Sequence, residues 1–316
     1  MRLRTTLIGL VLVGITAQAR AQARRPEARP TGLPKKLTWT FNLDAGLGAF
    51  GFANSLYADV SPDPSGDLSD NWVESFVKPA ISGTAAAWKG EFFAKLSAVG
   101  ERTYAAPPPL VGSEASSFKV EDLYVGWRSG KALSLGDDAL EVTLGRARYT
   151  IGHGLLLWDG GGEGGSRGGF WSNARKAWEL AGVARLNFKR NTVEAFYLDR
   201  DEVPEAETGT RLFGANYERS VGKAKATTLG ATYMHFMADS LPARDGMDVF
   251  NLRAYSSPFR KLPGLSLEAE YAHEANGALI KSTAWNILGA YELSKAKWKP
   301  KLSYRYAFFQ GDEPAT

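Results

Sequence analysis

Three histidines, His153, His235 and His273, are the side chains of this sequence most suited to moving a proton, and no partner motif accompanies them. His235 and His273 fall at the outer ends of alternating segments, where a membrane hydrolase could place a base. Neither is joined by a Ser-x-Gly elbow or a paired nucleophile, so a hydrolase is the least favoured of the functions considered. The chain has no cysteine, which removes disulfides, thiolate metal sites, iron–sulfur clusters and cysteine nucleophiles together. No cofactor or metal is expected, and catalysis is not the expected function. Gly160, Gly162 and Gly165 have dinucleotide-fingerprint spacing, but phosphate cradling needs a helix N-terminus in a βαβ unit and none is in reach. The stretch containing them reads as an extracellular loop that can fold into a pore. The acidic run Asp199, Asp201, Glu202, Glu205 and Glu207 lacks the glycine and spacing of a calcium loop, and reads as a solvated loop able to meet lipopolysaccharide through divalent ions.

The remaining chemistry is charge arranged along extended segments. Asp44, Lys95, Glu101, Glu141, Arg185, Arg253, Glu268, Glu270, Lys299, Lys301 and Arg305 fall on polar faces, and Arg146 and Arg148 lie near the end of one segment. Planar guanidinium groups near a constriction suit the passage of carboxylates. The competing reading is that these charges neutralise one another across a water-filled lumen.

The segments that carry them alternate with a period of two. Leu37, Trp39, Phe41, Leu43, Ala45 and Leu47 are apolar, while Thr38, Thr40, Asn42, Asp44, Gly46 and Gly48 are polar or glycine. Leu265, Leu267, Ala269 and Tyr271 against Ser266, Glu268, Glu270 and Ala272 repeat the pattern, as do Leu302, Tyr304, Tyr306 and Phe308 against Lys301, Ser303 and Arg305. About 13 such segments are expected, near 37–50, 73–87, 90–104, 117–128, 139–151, 176–188, 191–199, 210–219, 226–237, 247–256, 264–275, 282–293 and 297–309. Most exceed the roughly 5–6 residues of a soluble strand and match the roughly 9–11 of a membrane-spanning one. The fold class is therefore all-β: a transmembrane antiparallel up-and-down barrel of the bacterial outer membrane. Tight turns such as Trp88-Lys89-Gly90 and Lys189-Arg190-Asn191 alternate with long connections, which puts the short turns in the periplasm.

Arg2 and Arg4, the apolar Leu7–Thr16 and the small-x-small sites ending at Ala19 and Ala23 mark residues 1–23 as a cleaved signal peptide. About eleven apolar residues are too few to cross a bilayer core, which takes roughly 20. Cleavage after Ala23 lowers the formal net charge from +4 to +1, and with it any case for nucleic acid. Residues 24–36 then form a periplasmic segment and 37–316 the barrel. An odd strand count leaves the chain end outside the cell, so the barrel reads as C-terminally truncated.

Gly145-Arg146-Ala147-Arg148-Tyr149 with Gly152-His153-Gly154, then Trp171 and Arg175 beyond a glycine-rich loop, resembles the outer-membrane alginate-export family, as does Ser303-Tyr304-Arg305-Tyr306-Ala307 followed by Gly311-Asp312-Glu313. The resemblance implies a single-chain barrel of about 18 strands, passage of an anionic poly- or oligosaccharide through an arginine-containing lumen, and periplasmic export partners beside outer-membrane lipid and lipopolysaccharide. Taken with the polar faces of the segments, it puts Arg146, Arg148 and Arg175 along the substrate path together with Arg185, Arg253, Glu268, Glu270 and Arg305. Lys176-Ala177-Trp178 departs from the family pattern after Arg175, which leaves the substrate open. The alternative is a general or small-anion-selective porin.

Overall fold

The computed structural model describes residues 37–52, 70–105, 115–222, 227–257, 259, 262, 264–277, 279–293 and 297–311. The expected signal peptide and 24–36 segment, most of the two long connections before β2 and β4, and Asp312–Glu313 lie outside them.

Alternation along the chain becomes thirteen antiparallel strands paired in chain order: β1 Thr38–Phe52, β2 Asp70–Ala87, β3 Gly90–Tyr104, β4 Ala115–Arg128, β5 Leu140–Arg146, β6 Leu180–Phe188, β7 Asn191–Asp199, β8 Arg211–Val221, β9 Thr227–Met237, β10 Asp248–Ser256, β11 Leu265–Asn276, β12 Ile280–Glu292 and β13 Lys301–Phe309. This is an all-β up-and-down sheet, and among the described residues β1 and β13 are not paired with each other. One face is apolar and bare: Phe41 is 77% exposed and Phe118 72%, with Leu43, Leu123, Leu144, Phe250 and Leu302 on the same side. In water so much exposed apolar surface is not sustained, whereas hydrocarbon is its natural solvent. The opposite face is polar and partly covered.

Pro79 sits within β2 opposite Leu43, and the β2–β3 ladder passes over Lys78 and Pro79, the place where a missing N–H is tolerated. The turn after β2 puts Trp88 and Lys89 at φ 52° and 61°, the paired left-handed geometry of a tight hairpin. A bulge in β4 turns both Glu121 and Asp122 inward, since Leu96 pairs with Leu123 and Ala98 with Val120.

The fifth and sixth strands correct the periodicity reading. Period two predicts β5 through 151 and β6 from 176, but the ladder stops at Arg146 and resumes at Leu180. Gly145 has φ +127°, and a Cβ there would meet the Leu123 carbonyl at 2.3 Å, so the chain leaves the sheet at this glycine. Ala147, Tyr149 and Ile151 keep alternating because they bury one side in an apolar cluster with Leu157, Trp178, Phe196, Leu198, Leu212, Met234 and Val249. The alternation is that of an extended loop lying on the inner face.

Candidate functional site: a loop held across the inner face

The segment between β5 and β6 crosses the polar face of the sheet, and buried carboxylates from three strands hold one side of it. Glu74 of β2 accepts the Trp72 indole N–H at 2.8 Å and the backbone N–H groups of Trp171 and Ser172 at 2.9 and 2.7 Å. Glu101 of β3 accepts Arg175 Nε at 2.9 Å, with both side chains at 0% exposure. Glu121 of β4 accepts Lys78 Nζ at 3.1 Å and the Lys176 and Ala177 N–H groups at 2.7 and 3.1 Å. Gly169 N–H donates to Thr103 Oγ1 at 2.9 Å, and Trp171 joins the rings of Phe50 and Trp72 at 6.3 and 6.2 Å. Loop backbone that leaves a ladder needs new acceptors, and strand carboxylates aimed inward supply them.

The other side rests on β7, β10 and β11. Tyr149 OH donates to Glu194 Oε2 at 3.2 Å. His153 stacks on Tyr255 with ring centroids 4.0 Å apart, its N–H donates to the Tyr255 hydroxyl at 3.1 Å, and its Nδ1 lies 2.8 Å from Glu268 Oε2. Arg167 bonds within the loop to Gly162 O at 3.0 Å and, in the connection after β7, to Asp201 O and Asp201 Oδ1 at 3.2 and 3.1 Å and to Glu202 O. Glu163 accepts the Arg175 N–H at 2.7 Å. Burial pushes the Glu163 carboxyl up to about 8; the Arg175 N–H opposes this and the Glu101 charge adds to it.

The arginines and acids on the expected substrate path separate into two groups. Arg175 is buried against Glu101. Arg253 is also buried, donating to Thr232, Asn251 and Glu218 at 2.7, 2.9 and 2.9 Å and to Asn216. Glu268 takes His153, and Glu270 accepts Asn251 and Tyr255 at 3.0 and 3.4 Å. Arg146 pairs in register with outward-facing Leu123, and its Nη2 donates to Asp201 at 2.7 Å. These five are engaged in holding the fold.

Arg148, Arg185 and Arg305 retain contact with solvent. Arg185 binds Glu194 at 2.6 Å and lies 3.5 Å from Glu141, with about a third of its side chain exposed. Arg305 is exposed on β13 opposite Leu288. Arg148 is exposed on the loop and sits 5.0 Å from the ring centroid of Trp158, itself 43% exposed, while Lys176 Nζ lies 5.5 Å from the same ring. Burial holds the Lys176 ammonium below its ordinary range, with Arg148 adding to that and Asp159 opposing it. Two cations thus share one accessible indole, with Lys176 Nζ also 4.0 Å from Asp159.

Sequence reasoning assigns no role to Glu74, Glu121 or Trp158. The inward acids carry a signal, a carboxylate on the polar phase of a long strand, but that phase does not distinguish a lumen charge from an acceptor for a loop. Of the histidines, His235 faces outward at the rim with Nδ1 2.9 Å from Asp248 Oδ1, and Tyr233 OH donates to the same oxygen at 2.7 Å. No hydroxyl nucleophile is bonded to a histidine Nε2 among the described residues.

No family model and no curated protein matches the chain. Among solved structures it is similar to Pseudomonas putida OprB, at 12% identity over 86% of this chain and 77% of that one with a TM-score of 0.46. It is also similar to Acinetobacter baumannii OccAB2, at 12% identity over 90% and 85% with a TM-score of 0.44. A third likeness is to a BenF-like porin from Pseudomonas fluorescens, at 12% identity over 89% and 84% with a TM-score of 0.38.

Proposed function

We propose that the protein is a passive channel of the Gram-negative outer membrane, narrowed by the loop between β5 and β6, and that it favours anionic oligo- or polysaccharides. The observation that carries the reading is one sheet with a bare apolar face outside and, inside, a loop bonded to strands from β2 to β11. Fixed inward loops narrow a wide lumen without closing it, and the groups left open on such a loop set what passes.

Those groups are Arg148, Lys176 and Trp158, with Arg185 and Arg305 on the wall. An exposed indole offers a flat apolar face to a sugar ring, and flanking cations favour a ring that carries a carboxylate. Weak, solvent-exposed contacts also let a solute leave, which conduction requires.

The test is reversal potential in planar bilayers under a potassium chloride gradient. The wild-type channel is expected to be anion-selective, and Arg148→Ser with Lys176→Ser is expected to lower the anion-to-cation permeability ratio several-fold. Oligouronates are expected to block the current reversibly, and Trp158→Ala to weaken that block. Selectivity that survives the double change removes these residues from the path. Anion selectivity without oligouronate block makes the protein a small-anion porin.

A further inference from the structure

Charge is divided between the two ends of the sheet. The six connections on the short-turn side, 88–89, 129–139, 189–190, 222–226, 257–264 and 293–300, hold eleven lysines and arginines against two acids. The six on the long-loop side hold six against thirteen. Among the described residues Lys89, Lys131, Lys189, Arg190, Lys297 and Lys299 are all exposed on the first side. Strands about 4.8 Å apart put neighbouring turns roughly 10 Å from one another, so these cations recur at intervals along an arc.

Three of them stand where turn geometry alone does not ask for them. Lys89, Lys189 and Lys299 have φ of 61°, 55° and 45°, the left-handed backbone that glycine and asparagine adopt most readily. A lysine kept in such a position points to a use for its side chain. None of the three enters an ion pair among the described residues. Lys299, which alternation assigns to a polar strand face, lies in the turn before β13. Trp298, 87% exposed, stands between it and Lys297, and Trp88, 79% exposed, precedes Lys89. Cations beside an open indole repeat here the pairing that Arg148 and Lys176 make with Trp158.

Resting on the reading of this chain as an outer-membrane barrel whose short turns face the periplasm, we infer that this basic collar docks the cell wall beneath the membrane, a glycan cross-linked by peptides that bear free carboxylates. A polymer with repeated carboxylates matches cations spaced along an arc, because weak exposed contacts add up when their spacing permits simultaneous engagement. A single transported solute reaches few of them at once.

Cosedimentation of the whole purified chain, in neutral detergent, with protein-free cell-wall sacculi tests this. The chain is expected to pellet with the sacculi at low salt and to be released by about 1 M sodium chloride, where the screening length is about 3 Å. Lys89→Asn with Lys189→Asn and Lys299→Asn is expected to weaken retention about tenfold. Asparagine suits left-handed backbone, so heat-modifiable gel migration and channel conductance should stay as in wild type. A wild-type chain that stays in the supernatant overturns the inference and needs no variant to fold. So does undiminished retention of the triple variant, or equal retention by sacculi whose carboxylates have been amidated. Displacement by oligouronate at a far lower carboxylate concentration than the wall supplies assigns the collar to the transported solute, and displacement by a few phosphatidylglycerol molecules per chain assigns it to inner-leaflet lipid; either result overturns the wall as its partner. Wall binding by a folded chain that forms no channel supports this inference and refutes the transport reading.

Discussion

The two sides of the inward loop are held by different physics. Toward β2–β4 the contacts are buried: Glu101 and Arg175 have no solvent exposure, and Glu74 and Glu121 take backbone N–H groups. Toward β10 and β11, past the apolar cluster that includes Val249, the polar contact is His153 against Tyr255 and Glu268, with about half of the histidine side chain exposed. An interaction that excludes water is costly to leave half-made, whereas water replaces an exposed one at little loss. The loop is therefore anchored by the β2–β4 carboxylates and by its apolar cluster on β7–β10, and only its tip at His153 rests in water, where loop opening should begin.

The largest effect should come from the buried pair. Arg175→Met leaves Glu101 as an uncompensated buried charge, a loss of about 3–5 kcal/mol. Because the loss falls on the loop, it should appear as larger, noisier single-channel current and as rapid trypsin cleavage at Arg167. Glu101 Oε1 and Arg175 Nη1 already lack hydrogen bonds, so the pair is imperfect. Arg175→Met combined with Glu101→Gln should recover most of the loss, and a double variant as open as the single one would break the comparison.

Next comes Glu74→Ala, which strips the acceptor from the Trp171 and Ser172 N–H groups. An orphaned buried donor costs roughly 1–3 kcal/mol, so the loop should loosen less than in Arg175→Met. Hydrogen exchange of the Trp171 and Ser172 amides reads this directly. Unchanged protection would mean that the aromatic cluster with Phe50 and Trp72 holds the segment by itself.

How much of this was legible follows from the range of each signal. Apart from the seven-residue β5, the strands from Thr38–Phe52 to Lys301–Phe309 are visible because a wall between lipid and water imposes period two for nine or more residues at a stretch. Periodicity overextends β5 because Ala147, Tyr149 and Ile151 keep that period while packing in a loop core. Arg175 and Glu101 are 74 residues apart, and nothing local in either segment reports the other. Arg253 and Glu270 read as polar-face residues by their phase, but their partners Asn216, Asn251 and Tyr255 sit on β8 and β10, and such cross-strand pairing leaves no mark in the periodicity of any one strand.

A smaller effect sharpens the comparison by pH. The Glu163 carboxyl, raised by burial from 4.5 to about 8, binds a proton in the fold that the free loop gives up nearer its ordinary value. A raised carboxylate contributes stability that is complete below the ordinary value and is lost as pH rises through the folded one. Between about pH 4.5 and about pH 8 the loop should thus loosen and the current grow noisier. Glu163→Gln should flatten that dependence. A slope that persists in the variant would assign it to another group.

The smallest effect should be at the resting side. His153→Ala removes the stack on Tyr255 and the hydrogen bond to Glu268, but both lie where water is available. Exposed pairs of this kind contribute about 0.2–1 kcal/mol, and salt screens them further. Conductance should rise only slightly, and trypsin cleavage at Arg167 should stay slow because the Glu101–Arg175 side still holds. An opening as large as that of Arg175→Met would mean that His153 is the true fastening, and the order of the two sides would reverse.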